Sequence, residues 1–278
     1  MEYTELSIDL SQTAVDTDVL TAVLAEYGFE SISEENNTYK AYIQSELFQR
    51  DLVVQQLEMV NLASGYTIQV IPEQNWNAVW ESNFEPVVIA GQCYVRAPFH
   101  KPEPQYPIEL LIEPQMSFGT AHHETTSQMI ALMLSEDFNG KDVLDMGCGT
   151  GILAVLAVKR GAQNAWAIDN DDWAYRNTLE NIERNNTPKI HVLCGDATLL
   201  SQLPKMDIIL ANINRNILLA DIQFYSKSLN KNGLLFLSGF YEHDLPSIES
   251  EASKYHLKLT NYTTQNNWVA ARFESNGV

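Results

Sequence analysis

The chain is 278 residues long and carries 17 Lys and Arg against 36 Asp and Glu, a formal charge of −19 at pH 7. That length is long for one domain and comfortable for two, and no apolar run reaches the roughly eighteen residues that a membrane-spanning helix requires. Phosphate backbones are bound by clustered cations, so direct binding to nucleic acid is not expected, whereas a basic protein would be steered toward so acidic a surface. Cys93, Cys148 and Cys194 are far apart and odd in number, which suggests neither a disulfide framework nor a metal cluster. The N-terminal Met1-Glu2-Tyr3-Thr4-Glu5 lacks the basic-then-apolar pattern of a signal peptide. The expectation is a cytoplasmic protein without a membrane anchor.

Residues 1–71 read as a small unit of their own. Tyr3, Leu6, Ile8 and Leu10 predict a first strand. Val19, Leu20, Val23, Leu24 and Tyr27 have helical spacing, with Gly28 where a C-terminal cap belongs. Phe29 to Ser33 and Thr38 to Ile43 predict two strands around the Glu35-Asn36-Asn37 turn. Leu47 to Leu62 predicts a second amphipathic helix, and Tyr66 to Ile71 a final alternating strand. The order β-α-β-β-α-β is that of a ferredoxin-like unit. Up to residue 60 there are twelve acidic residues against two basic ones, Lys40 and Arg50. No catalytic constellation occurs here, and the reading is a recognition module with an acidic face.

Residues 72–100 read as a linker. Asn75 to Trp80 predicts a short helix with Trp76 and Trp80 on one side. Pro86 breaks it, and Val87-Val88-Ile89 begins a strand. Residues 101–278 form the third section. Its first unusual stretch runs from Glu113 to Thr126 and holds Phe118, Gly119, Thr120, His122 and His123. It leads into a helix from Ser127 to Leu134 that Thr125 or Thr126 can cap. Adjacent histidines point apart, and no second ligand cluster supports them, so a metal is not expected.

Val143 to Ala154 is the most informative segment. An apolar run ends at Asp145, glycines follow at 147, 149 and 151, and helical spacing resumes. A strand, a tight turn and a helix N-terminus can hold a nucleotide-like ligand against bare backbone. A dinucleotide site prefers G-x-G-x-x-G, and a phosphate loop needs a lysine; neither pattern is present. The next apolar run, Ala165 to Ile168, ends at Asp169, placed to accept both hydroxyls of a ribose. Together these motifs resemble the cofactor site of class I S-adenosylmethionine-dependent methyltransferases. On that reading Phe118, Thr120 and the threonines after His123 belong to a loop over the methionine end of the cofactor. His191 to Ala197 predicts a third strand and an acidic turn, where Asp196 either bonds the adenine amine or simply closes the turn. Met206 to Ala211 predicts a fourth strand ending at Asn212, a polar side chain at the carboxyl end of a central strand. A helix (Ile217 to Leu229), a strand (Gly233 to Ser238), a helix (Leu245 to Tyr255) and a hairpin (Leu257 to Thr263 with Trp268 to Phe273) complete a doubly wound α/β sheet with a closing antiparallel hairpin.

Over nearly its whole length the chain resembles the ribosomal protein L11 methyltransferases, the PrmA family. The resemblance rests on the βαββαβ unit, Trp76 and Trp80, Phe118-Gly119-Thr120 with His122 and Thr125-Thr126, the glycine motif, Ile168-Asp169-Asn170-Asp171 and Ala211-Asn212-Ile213. It implies methyl transfer from S-adenosylmethionine to the α-amino group and lysine side chains of a basic ribosomal protein; separately, a monomer is expected. It puts Thr126, Gly147, Asp169 and Asn212 on the cofactor, with Asp145, Gly149, Asp196, Phe118 and Thr120 as further candidates. The chain departs from the family pattern at Ala121, where glycine is usual, and at Asn214-Arg215-Asn216. Asn212 is the candidate to hold the acceptor amine. The alternatives are an N-methyltransferase for another protein or a small amine, a non-catalytic cofactor-binding module and, disfavoured by the glycine spacing, a nicotinamide-dependent enzyme.

Overall fold

The computed structural model describes residues 2–12, 16–35, 37–60, 62, 65–71, 84–113 and 119–276. Two compact units divide at residues 83 and 84. Trp76, Trp80 and Phe118, singled out in the sequence, lie outside the described residues.

The smaller unit runs β1 (Tyr3–Asp9), α1 (Thr17–Glu26), β2 (Ser31–Glu35), β3 (Thr38–Gln44), α2 (Arg50–Met59) and β4 (Tyr66–Ile71). Its strands lie in the order β2-β3-β1-β4 with every pairing antiparallel. Period-two alternation sends Leu6, Ile8, Ala41 and Ile43 to one face, where they bury against Leu20 and Leu24 of α1 and Val53 and Leu57 of α2. The Asp16 side chain accepts from the N–H groups of Asp18 and Val19 and so caps α1.

The larger unit starts earlier than the sequence suggests. Val87–Ile89 (β5) pairs antiparallel with Cys93–Arg96 (β6), which runs parallel to Ile108–Leu111 (β7). Ile89, Cys93 and Val95 are buried in the same core as the helices that follow. Residues 84–100 are therefore part of this unit and do not form a linker.

The main sheet has seven strands in the order β10-β9-β8-β11-β12-β14-β13. They are β8 (Asp142–Met146), β9 (Asn164–Asp169), β10 (Ile190–Cys194), β11 (Met206–Asn212), β12 (Leu229–Tyr241), β13 (Leu257–Gln265) and β14 (Trp268–Ser275). The first five in that order are parallel, and β14 and β13 close the sheet antiparallel. Both faces are covered, so the central strands are almost continuously apolar. Val143, Ile208 and Leu210 bury on one face with α3 (Glu124–Leu134) and α4 (Ile152–Lys159). Leu144, Ile209 and Ala211 bury on the other with α6 (Arg215–Ser228) and α7 (Leu245–Lys254).

One further helix, α5 (Asp172–Asn185), has no apolar stripe. Its buried residues are Ala174, Asn177, Thr178, Asn181 and Asn185. Among the described residues no helix is long and apolar enough to cross a membrane.

Candidate active site

The carboxyl ends of the parallel strands carry the chemistry. The chain leaves β8 at Met146 and turns through Gly147, Gly149 and Gly151, all at positive φ (70°, 56° and 74°). Gly147 and Cys148 donate their N–H groups to the Ile168 carbonyl of β9 at 2.8 and 3.1 Å. A Cβ at Gly147 would lie 2.1 Å from Cγ2 of Ile213, so the turn and the segment after Asn212 approach each other through a missing side chain. The turn ends with Gly151 as the N-cap residue of α4.

Asp169 closes this turn against the end of β9. Its Oδ2 accepts from the Gly149 N–H at 2.9 Å and its Oδ1 from the Asp171 N–H at 3.0 Å. Each oxygen keeps a lone pair for a ligand hydroxyl. Asp145 lies beneath the turn, almost wholly buried, and accepts from the Ala154 N–H at 3.0 Å. Burial pushes its carboxyl up to about 8; the Ala154 N–H opposes that rise and the nearby Asp169 charge adds to it.

A cavity of about 500 Å³ opens at these strand ends, in the size range of small-ligand sites. Gly147, Gly149, Asp169, Asp196 and Asn212, all expected from the sequence, line it. Asp196 accepts from the N–H and the hydroxyl of Thr198 with one oxygen, which holds its carboxyl below the ordinary range and closes the turn at the end of β10. Lining the cavity and closing the turn are thus compatible roles for that side chain.

Three expected residues do not line the cavity. Asp145 acts from below, through the turn and α4. Thr126 is buried, and its Oγ1 accepts from Asn212 Nδ2 at 3.1 Å. The Thr120 carbonyl hydrogen-bonds His122 Nδ1 at 3.1 Å. The N-terminus of α3 also differs from expectation, since the helix begins at Glu124 and His123 caps it by accepting from the Thr125 N–H at 3.3 Å.

Sequence reasoning missed one wall of the cavity. Trp268, at the start of β14, meets His123 edge-on with ring centroids 4.9 Å apart and packs on Tyr241 at 4.0 Å. Gly239 lies where the register of β12 against β14 slips, and it also faces the cavity. Only the strand order brings these positions beside Asn212. The Oδ1 of Asn212 is buried and has no hydrogen-bond partner among the described residues. A buried acceptor without a partner is costly, and a ligand carrying N–H groups would satisfy it. Together with the carboxylate of Asp169 at the glycine turn, this suits an adenosyl group with an amine at its far end.

A family model described as ribosomal protein L11 methyltransferase (PrmA) matches residues 4–276. The ribosomal protein L11 methyltransferase of Porphyromonas gingivalis is 48% identical over 260 residues, covering 92% of this chain and 90% of that protein. That of Bacteroides fragilis is 42% identical over 278 residues, covering 98% and 99% respectively. Among solved structures, the ribosomal protein L11 methylase of Lactobacillus delbrueckii subsp. bulgaricus superposes with a TM-score of 0.64 at 24% identity, covering 70% of this chain and 100% of that one. A methyltransferase from Pyrococcus furiosus does so with 0.52 at 17% identity, covering 61% and 90%; both likenesses speak for the Rossmann-like α/β fold of the larger unit. With the family model matching from residue 4 to residue 276 and relatives above 40% identity along the same length, the chain belongs to the ribosomal protein L11 methyltransferase family, whose methyl donor is S-adenosylmethionine.

Proposed function

We propose that this enzyme methylates amino groups, α-amino and lysine, of ribosomal protein L11. The names of its relatives support the substrate. The observation that carries the amine chemistry is the buried, unpartnered Oδ1 of Asn212. Its Nδ2 donates to the Thr126 Oγ1 at 3.1 Å. That oxygen is an acceptor without a donor on a residue that lines the cavity, and an amine N–H is a natural donor for it.

When bound, S-adenosylmethionine supplies a methyl group already activated by a positively charged sulfur. The chain's own residues have three tasks. Asp169, Gly147 and Gly149 seat the donor at the turn, with Asp196 toward its adenine. Asn212 aims the acceptor lone pair, and such positioning is worth several kcal/mol. Trp268 and its aromatic neighbours keep water from the acceptor side. The acceptor must be neutral to attack, which an α-amino group reaches at about pH 8 and a lysine only near 10.4. A carboxamide takes no proton, so Asn212 orients the amine and does not deprotonate it.

The smaller unit reads as a ferredoxin-like recognition domain, supported by its β-α-β-β-α-β order and its strand order. Its excess of acid suits a basic ribosomal protein and disfavours nucleic acid. The enzyme acts as a monomer in the cytoplasm, where ribosomal proteins are made.

Incubation with methyl-labelled S-adenosylmethionine and purified L11, read by intact mass, tests the proposal. The expected result is a mass gain in steps of one methyl group. Label on another basic protein or a small amine, and none on L11, would overturn the substrate. Asn212→Ala is expected to lower kcat by about 100-fold, a typical loss for one oriented polar contact in a water-poor site. Full turnover of that variant at saturating donor and acceptor would remove Asn212 from the orienting role.

A further inference from the structure

The helix α5 spends its buried face on amides and hydroxyls, and two of its asparagines make matched sets of bonds. Asn181 Oδ1 accepts from the Glu113 N–H at 2.9 Å, while its Nδ2 donates to the Thr150 carbonyl at 3.0 Å and to Asn177 Oδ1 at 3.3 Å. One helical turn on, Asn185 Oδ1 accepts from the Leu111 N–H at 3.0 Å, and its Nδ2 donates to the Leu111 carbonyl at 2.6 Å and the Asn181 carbonyl at 2.8 Å. Each carboxamide thus makes three bonds, and both side chains are buried. They differ in what they hold. Asn185 stitches α5 to β7 only. Asn181 reaches past β7 to the glycine turn.

Thr150 is the residue it reaches. That side chain is fully buried, and its Oγ1 donates to the Gly119 carbonyl at 2.6 Å. The carbonyl before it, Gly149 O, accepts from Thr178 Oγ1 of α5 at 2.9 Å. The two carbonyls flanking the Gly149–Thr150 step are therefore both anchored to α5. The Gly149 N–H that reaches Asp169 leaves the same turn just before these two carbonyls, in the peptide that joins Cys148 to Gly149.

We propose that Asn181 is a positioning residue for the methyl donor: by holding the Thr150 carbonyl it fixes the turn whose Gly149 N–H orients the Asp169 carboxylate. The inference rests on the glycine turn and Asp169 being the donor's seat. Without Asn181 the Thr150 carbonyl is buried and unpaired, and the turn rotates to recover a partner. The Asp169 carboxylate then loses its orienting N–H.

Titration calorimetry of S-adenosylhomocysteine on the full chain, without protein substrate, tests this. Asn181→Ala is expected to weaken binding by about tenfold or more, and Asn185→Ala by less than about twofold, although both lose three buried bonds and both lower the melting temperature. In turnover, the KM for S-adenosylmethionine rises by the same factor in Asn181→Ala, with kcat changed by less than about threefold. Equal weakening by the two variants, or wild-type affinity in Asn181→Ala, overturns the proposal. If Asn181→Ala does not fold, Asn181→Asp serves, because it keeps the acceptor for Glu113 and loses the donor to Thr150; wild-type affinity there overturns the proposal as well. Asp169→Ala is the reference. Undiminished binding in Asp169→Ala removes the seat itself, and the inference with it. Loss in Asp169→Ala alone removes only the inference.

Discussion

Replacing Asp145 by asparagine isolates the cost of a buried carboxyl beneath the glycine turn. The ordinary aspartate value is about 3.9, and in the fold burial pushes this group up to about 8. Between those two values the folded chain holds a proton that the unfolded chain has released, so stability falls as pH rises, by about 1.4 kcal/mol per pH unit. From pH 5 to pH 8, with the slope easing as the folded group begins to ionise, the loss comes to about 3–4 kcal/mol. Asparagine keeps an oxygen for the Ala154 N–H and has no proton to lose. Urea unfolding of wild type and Asp145→Asn at pH 5, 6, 7 and 8 measures the difference, because every other titrating group cancels. The gap is expected to widen steadily in favour of the variant toward pH 8. A gap constant to within about 0.5 kcal/mol across the series would falsify the reasoning, since it requires the carboxyl to be ionised in the fold despite its burial.

Other perturbations probe other parts of the site. Gly239→Ala brings a Cβ to 2.2 Å from the Ile213 carbonyl at a φ of 95°, where no side chain can move aside; a loss of about 3 kcal/mol and weaker S-adenosylhomocysteine binding are expected in urea unfolding and calorimetry. Thr126→Val keeps the shape and removes the acceptor for Asn212 Nδ2, so kcat is expected to fall by about tenfold with donor affinity nearly unchanged; a changed donor Kd with normal kcat would contradict that division of labour. Cys194 is exposed, whereas Cys93 and Cys148 are buried, with thiols raised by that burial, Cys93 to about 12. A thiol reagent at pH 8 is expected to modify one cysteine in the native chain and all three in denaturant, and a second fast-reacting thiol would show that the core opens.

Elements that announce themselves by apolar periodicity were legible in the sequence. The strands that carry Asp145, Asp169 and Asn212 at or beside their carboxyl ends are readable as apolar runs with a polar terminus, and five of the nine expected site residues meet in one cavity. The helix Asp172–Asn185 escaped because its inward face is polar: Asn177, Thr178, Asn181 and Asn185 occupy the positions where an apolar stripe would have marked it. The short strands Cys93–Arg96 and Ile108–Leu111 are four residues each, too brief for alternation to stand out. The N-terminus of α3 was misjudged by several residues because His123, an uncommon cap, takes the place expected for a threonine. The contribution of Trp268 could not be read locally, since strand order alone carries it to Asn212. Ala121 is buried at a φ of 65°, a conformation that glycine adopts without strain, and nothing in the structure explains the alanine there.

The sheet order has a consequence for how this molecule is made. β14 follows β13 in the chain yet lies between β13 and β12. β13 therefore has no edge to join until β14 is in place, because among the described residues β14 is its neighbour in the sheet. The parallel strands and the glycine turn can assemble first, leaving β12 as a temporary open border. The arrival of β14 seals that border, delivers Trp268 to the cavity and recruits β13 in one event. A chain cut after residue 265 would keep the glycine turn and Asp169 but lose Trp268 and the strand that covers the edge of β12.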